Sequence, residues 1–279
     1  MIASHFDWER HASRAEPLLK FLEELNEPFG LEHSFRVCPR GIFAHRFLAS
    51  TARTSVDCQA VVELCLRLGI PNHCSGEVHH HLESAKFLHL GYEEGSASCL
   101  YKIYLETGHD CEPEGSVVQH HAIKWDSIDN SKYVRSKYIW YRLQTVTNVL
   151  DRLDAIYGGD SESSLEIARD MIFLGASRIP VEDLHYMEVT ESGSLRSSFD
   201  INFYSAELRV QDLVPFLVRA CERYSTSISE LQSLCDSIGG EVLGHLAGGI
   251  HRNGDEFFNV YYGVEQRQGQ SPAHGPIRG

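Results

Sequence analysis

Leu243-Gly-His-Leu-Ala-Gly-Gly-Ile-His-Arg-Asn-Gly-Asp-Glu-Phe-Phe-Asn-Val-Tyr-Tyr-Gly263 reads as two strands joined by one tight turn. Asn253-Gly254 suits the positive backbone angles of a two-residue hairpin loop. The flanking runs, 242–251 and 256–264, have the composition and turn boundaries of strands. Along the second arm, Phe258, Val260 and Tyr262 fall on one face and Phe257, Asn259 and Tyr261 on the other, because successive strand side chains point to opposite sides.

The same unit recurs upstream. Strands are predicted at 31–38 and 42–50 around Pro39-Arg40-Gly41, at 86–93 and 99–107 around Glu94-Gly95-Ser96, and at 117–126 and 133–144 around Asp129-Asn130-Ser131. A further pair, 183–191 and 195–205, turns at Ser192-Gly193-Ser194. Helical spacing of apolar residues predicts helices over 12–27, 58–68 (N-cap Asp57, stop Gly69), 146–157, 163–174, 211–224 and 228–237. Parallel α/β folds need a crossover after every strand, so consecutive hairpins argue against them. Ten strands in five hairpins with helices between fit an antiparallel barrel, closed so that no sheet edge is exposed and wide enough to hold a ligand. Residues 1–265 read as one domain, and the Gln/Gly/Pro-rich stretch Gln266–Gly279 as a disordered tail.

If helices cover the outside, the other strand faces line a lumen. They would bring together Arg36, Arg46, Lys102, Tyr104, Asp200, Asn202, Tyr204, Asn259 and Tyr261, with Glu32 and Ser34 on the first strand. Lys124 and Arg142 would add charge. In 133–144, Tyr138, Trp140 and Arg142 compete with Arg135, Lys137, Ile139 and Tyr141 for the inner face. A solvated sheet face would also alternate, but the Lys-x-Tyr and Asn-x-Tyr pairs on three strands are not its usual composition.

Composition narrows the classes. A net charge of −14 over 279 residues argues against a nucleic-acid surface and makes inward cations more informative. No apolar run is long enough for a membrane span, and the N-terminus lacks a secretory core, so a cytoplasmic protein is expected. The eight cysteines form no CxxC pair and read as reduced, buried thiols. His79-His80-His81 would spread around a helix rather than converge on an ion, and reads as a solvated helix end. Gly239-Gly240 and Gly248-Gly249 lack the strand-to-helix setting of a phosphate loop, and no GxSxG elbow occurs.

The closing hairpin resembles that of the cyanobactin peptide prenyltransferases. So does Ser198-Phe-Asp-Ile-Asn-Phe-Tyr204 leading into Val-Gln-Asp-Leu-Val-Pro. Leu31-Glu-His-Ser-Phe-Arg36, Tyr101-Lys-Ile-Tyr-Leu-Glu106 and Ile123-Lys-Trp-Asp126 are similar to that family's earlier strands. The resemblance implies the ABBA barrel, an α/β fold of five α-β-β-α units with helices outside and the active site in the lumen. It also implies a transferase moving an isoprenyl group, dimethylallyl or alternatively geranyl, from an allylic diphosphate to a side chain of a ribosomally made, often macrocyclic peptide. Mg²⁺ would accompany the diphosphate, with no metal held by the protein alone.

By position, Glu32 matches the family's acidic base. Arg46, Lys102, Lys124 and Arg142 would face the diphosphate, where cations stabilise the charge that develops as the carbon–oxygen bond breaks. Tyr104, Trp140, Tyr186, Tyr204 and Tyr261 would shield the allylic cation, each aromatic face adding about 0.5–2 kcal/mol of cation–π attraction. Asn202, Asn259, Phe203 and His245 would complete the lining, with Phe203 a candidate for closing the chamber and His245 equally readable as a structural histidine. The helical isoprenoid enzymes use aspartate-rich motifs instead, and this chain has no Asp-Asp pair. A barrel acting on a small aromatic molecule and a non-catalytic peptide- or lipid-binding barrel are the alternatives. The acceptor side chain stays open among Tyr, Trp, Ser/Thr, His, Arg and chain termini.

Overall fold

The computed structural model describes residues 8–25, 27–94, 98–111, 115–158 and 163–268. In chain order the elements are α1 (Trp8–Glu23), β1 (Phe29–Cys38), β2 (Gly41–Ala52), α2 (Cys58–Arg67), α3 (Ser75–Ser84), β3 (Phe87–Glu94) and β4 (Cys99–Cys111). Next come β5 (Val117–Asp126), β6 (Tyr133–Trp140), α4 (Val146–Tyr157), α5 (Leu165–Ala176), β7 (Tyr186–Glu191) and β8 (Ser197–Asn202). The chain finishes with α6 (Val210–Tyr224), α7 (Ile228–Ile238), β9 (Leu243–Ile250) and β10 (Glu256–Arg267).

The strands follow one another around a closed barrel, and β1 pairs antiparallel with both β2 and β10 to seal it. Every sequence-adjacent strand pair is antiparallel, as five hairpins require. Apolar outward residues meet the helices in two clusters. α1 to α3 pack Leu18, Leu22, Val61, Leu64 and Val78 against Leu31, Leu90, Ile103 and Trp125. α4 to α7 pack Leu153, Met171, Leu213 and Leu231 against Phe199, Ile201, Leu246 and Phe258. A third, smaller cluster of Tyr104, Ala122, Tyr138, Met187 and Val189 lies inside the barrel.

Local chemistry sets the helix ends. Asp57 accepts from the Gln59 backbone N–H at the start of α2, an N-cap that leaves one fewer donor unpaired. Gly158 ends α4 in the left-handed conformation, which lacks a Cβ penalty only for glycine. Gly249, at φ +131°, lies so close to β8 that an added Cβ would meet Ser197 O at 2.4 Å.

Several boundaries depart from the sequence reading. α1 begins and ends earlier than 12–27, and α3 is an additional helix whose exposed His79 and His80 carry no helical apolar pattern. β6 stops at Trp140, not 144, and β8 covers only Ser197–Asn202, so Tyr204 sits in a 3-10 turn. β10 continues through Gln266 and Arg267, which pair with Gly30 and Phe29, so the expected tail loses its first residues to the barrel. Residues 269–279 and the turn at Gly95-Ser96 lie outside the described residues. Cys38, Cys65, Cys74, Cys99, Cys221 and Cys235 are buried free thiols and Cys58 is half-buried.

Candidate active site

Ladder register decides which side chains share the lumen. Across β2 to β5, Arg46 lies opposite Glu93, Leu48 opposite Gly91, Gly91 opposite Lys102, and Lys102 opposite Lys124. Across the closing strands, Ser34 is opposite Tyr261, Arg36 opposite Asn259, and Asn259 opposite Ala247, which is opposite Asp200. Tyr138 faces Val189, and Ser136 faces Glu191. That resolves the ambiguity in β6 in favour of Tyr138 and Trp140.

One end of the lumen is basic. Arg36, Arg46, Lys102, Lys124, Arg196 and Arg252 converge there with Glu93, Tyr104, Tyr138, Asn259 and Tyr261. Asn259 Oδ1 accepts from Arg36 Nε at 2.9 Å and from Arg46 Nη1 at 2.8 Å. Glu93 holds Lys102 Nζ at 2.7 Å, Arg36 Nη1 at 3.3 Å and Arg46 Nε at 3.3 Å. The last is an ion pair without an aligned hydrogen bond, so Arg46 Nε is a buried donor with no acceptor, on a side chain only 2% exposed. Glu191 takes Arg196 at 2.8 Å and Arg252 at 3.2 Å. Cations thus outnumber the carboxylates that neutralise them, an arrangement costly in a buried site unless an anion completes it.

Lys124 shows the imbalance best. Its hydrogen bond goes to Tyr138 Oη at 3.4 Å, and it sits 5.8 Å and 5.6 Å from the ring centroids of Tyr104 and Tyr138. Burial, with Arg196 and Lys102 nearby, pushes its ammonium well below the usual range. Burial lowers Lys102 to about 8, Arg46 and Arg36 adding to the shift and Glu93 opposing it. For Glu93, burial works towards neutrality, but Arg36, Arg46 and Lys102 hold the carboxylate well below its ordinary value.

Past the edge-to-face pair Tyr104–Tyr138, 5.5 Å between centroids, the lumen widens into a cavity of about 400 Å³. Glu32, Leu48, Ser50, His89, Tyr104, His120, Tyr138, Met187, Asp200, Tyr204, His245, Tyr261 and Val264 line it, and half-exposed Val264 marks a lip open to solvent. Tyr204 Oη donates to Glu32 Oε1 at 2.5 Å. His245 Nδ1 lies 3.0 Å from Asp200 Oδ1, and its ring meets Tyr204 and Tyr261 edge-on. Burial raises the Glu32 pKa, while neighbouring His245 and the Tyr204 hydrogen bond pull the other way. Burial opposes protonation of His245, but Glu32 and Asp200 together raise it to about 9. Gly244 makes room for this group: a Cβ there would stand 1.9 Å from Glu32 Oε1 and 2.8 Å from the Tyr204 ring.

The lumen therefore brings together Glu32, Arg46, Lys102, Lys124, Tyr104, Tyr204, Tyr261, Asn259 and His245. Trp140 stands at its rim, stacked on His185 with centroids 5.6 Å apart. Asn202 shares the inner face but caps the next turn, Oδ1 accepting from Tyr204 N at 2.9 Å. Three expectations are corrected. Arg142 lies beyond the end of β6 and is exposed. Tyr186 alternates out of phase with the lumen-facing Met187 and is buried against the helices, donating to Glu188. Phe203 is also in the outer core, so close to α5 that an added Cβ on Gly175 would stand 2.1 Å from its ring.

At the basic end, the residues that sequence reasoning did not single out are Glu93, Glu191, Arg196 and Arg252. Glu93 was legible as the inward partner of Gly91 and His89 in a strand already located. Arg196 and Arg252 come from hairpin turns, where period-two alternation carries no information.

The architecture is that of the ABBA prenyltransferase barrel. A 6-dimethylallyltryptophan synthase from Micromonospora olivasterospora, solved with DMASPP and Trp, superposes with a TM-score of 0.57 at 13% identity, over 84% of this chain and 81% of that one. The 5-dimethylallyl tryptophan synthase from Streptomyces coelicolor, also with DMASPP and Trp, gives 0.58 at 11% identity over 83% and 78%. The apo prenyltransferase PriB gives 0.54 at 10% identity over 84% and 79%. No family model matches the sequence, and no curated protein matches it.

Proposed function

We propose that this chain transfers a prenyl group from an allylic diphosphate to a nucleophilic side chain of a peptide. The observation that carries the reading is the excess of buried cations at one end of the lumen, next to a tyrosine collar and an open cavity with Glu32 in its wall. The diphosphate would sit among Arg36, Arg46, Lys102, Lys124 and Arg196 and supply the acceptor that Arg46 Nε lacks. The bond between the allylic carbon and the diphosphate oxygen breaks, its electron pair leaving with the diphosphate. Cations placed in advance stabilise that charge in a site with little water. Tyr104, Tyr138 and Tyr261 flank the carbon fragment. The acceptor atom bonds to the allylic carbon, and its proton goes to Glu32, which burial poises nearer neutrality as a base.

Mg²⁺ fits the basic end through the diphosphate. Glu93 is engaged by Arg36 and Lys102 and Glu191 Oε1 by Arg196 and Arg252, so among the described residues there Glu191 Oε2 is the carboxylate oxygen left free to join the diphosphate in holding the ion. When bound, the ion would further neutralise the leaving group.

The peptide acceptor is supported by the resemblance of the Leu243–Gly263 hairpin and by the open lip at Val264. The structural neighbours solved with Trp favour a small aromatic acceptor as the second reading. Incubation with dimethylallyl diphosphate and Mg²⁺, with a panel of linear and cyclic peptides beside free tryptophan, distinguishes them. A gain of one isoprene unit on peptide is expected. Modification of tryptophan alone establishes the second reading, and binding of donor without turnover removes the enzymatic one.

A further inference from the structure

Three neighbouring strands carry His89, Glu106 and His120 to one place on the lumen wall. Glu106 stands opposite His120 across the β4–β5 ladder, and His89 stands opposite Tyr104, the preceding inward residue of β4. A potential ligand atom from each lies within 4.8 Å of the others. His89 Nε2 is 3.4 Å from Glu106 Oε2, and His89 Nδ1 is 2.6 Å from Ser50 Oγ. His120 Nδ1 is buried and has no hydrogen-bond partner, an arrangement unusual enough in folded proteins to require a cause. His89 and His120 also line the cavity, so the cluster is open on one side.

We propose that His89, Glu106 and His120 form a binding site for a divalent transition metal ion of the zinc class, with its open coordination position facing the cavity. Two imidazoles and one carboxylate are a donor set that suits zinc, and three protein ligands with a vacant fourth position mark sites where the ion meets a second molecule. The hydrogen bond between Ser50 and His89 Nδ1 would orient that imidazole and leave Nε2 to the ion, as the outer partners of metal-binding histidines do. An ion bound through His120 Nδ1 would also give that atom the partner it lacks. The site is separate from the basic end of the lumen, where every carboxylate is salt-bridged. An occupant of the cavity carrying an imidazole, thiolate or carboxylate would complete the coordination shell. This departs from the expectation that the protein alone holds no metal, which rested on cysteine spacing and on His79-His80-His81; the cluster joins residues from three strands and leaves no spaced motif.

The test is titration of the chelator-treated full chain with Zn²⁺ by calorimetry and with Co²⁺ by visible absorption, in the absence of donor and acceptor. One equivalent is expected to bind, with cobalt bands of low coordination number. His120→Gln and Glu106→Gln should each weaken binding about tenfold to a hundredfold or more, since even outer-shell changes reach that range. A variant carrying His79→Asn, His80→Asn and His81→Asn should bind as the parent does. Failure of the parent to bind, retention of full affinity by both ligand variants, or loss of binding in the α3 variant each overturns the proposal. If a ligand variant does not fold, the parent's cobalt spectrum decides: bands unlike those of the hydrated ion support the site, and the spectrum of hydrated cobalt overturns it. A failed prenyl-transfer assay leaves this result standing, because no step of the test uses that reaction.

Discussion

The two ends of the lumen are built from the same kinds of residue and balanced in opposite ways. At the Glu32 end, each charge has a close partner: Tyr204 donates to Glu32, and His245, raised to about 9, lies between Glu32 and Asp200. At the Arg46 end, cations exceed carboxylates, burial beside Arg196 and Lys102 lowers the Lys124 pKa, and one guanidinium N–H has no acceptor. The balanced group of Glu32, Tyr204, His245 and Asp200 needs no further ion and can exchange a proton. An unbalanced end is completed by an anion. Burial of both in one lumen makes the contrast costly to maintain, which is why it points to chemistry rather than to packing.

The sharpest way to break the contrast is at Glu32. Glu32→Gln keeps an acceptor for Tyr204 and removes the base. Turnover should fall by about 10²- to 10⁴-fold, the range for loss of general base catalysis, while affinity for a non-hydrolysable donor analogue stays unchanged. Unaltered turnover would show that the acceptor loses its proton elsewhere. At the other end, Lys102→Ala should weaken the donor analogue by about tenfold to a hundredfold, the loss of one hydrogen bond to a charged group, measured by calorimetry. Undiminished affinity would detach the diphosphate from this end.

Much of this division was legible in the sequence because strands alternate. Lys102, Tyr104, Arg46, Asn259 and Tyr261 could be assigned to the inner face from a period of two alone, and the closing Asn253-Gly254 turn set the phase of β9 and β10. Phe203 and Tyr186 show the limit. Phe203 alternates with Asp200 and Asn202, so its outward position follows from the strand, and treating it as lining set aside the periodicity that placed its neighbours. Tyr186 lies at the first residue of β7, where an apolar shell and an aromatic lumen both accept a tyrosine. Arg142 depended on where β6 ends, and a strand end has no periodic signal. Glu93 shares the inner face with His89 and Gly91 and could have been read by the same alternation, whereas Glu191 stands at the end of β7 and its partners Arg196 and Arg252 come from turns, where alternation carries no information.

The charge imbalance also predicts a pH dependence. Burial, with Arg46 and Arg36 nearby, leaves Lys102 at about 8 in the empty site. A bound diphosphate favours the charged ammonium, so its pKa rises in the complex. Donor binding near that pH therefore draws protons from solution, and affinity should fall as pH rises across about pH 7–9, by at most about tenfold per unit for one coupled proton. Calorimetry in buffers of different ionisation enthalpy measures the uptake. Equal heats in all buffers, with affinity flat over the same range, would mean that the lysines are fully charged before the donor arrives.

The smallest effect is expected where the two ends meet. Tyr138 contributes a ring beside Tyr104 and a hydroxyl that receives Lys124. Tyr138→Phe keeps the ring and removes only a long hydrogen bond of 3.4 Å from Lys124. Such a bond is worth about 0.5–1.5 kcal/mol at most, so donor affinity and turnover should each change less than about tenfold. Tyr138→Leu removes the aromatic face as well and should slow turnover further, by the share of about 0.5–2 kcal/mol that a face offers a cation. The comparison of the two variants separates hydroxyl from ring. If Phe is as slow as Leu, Tyr138 acts through Lys124 and belongs to the basic end. If Phe matches the parent and Leu does not, the collar works by its aromatic faces, and the division between the two ends falls at this ring.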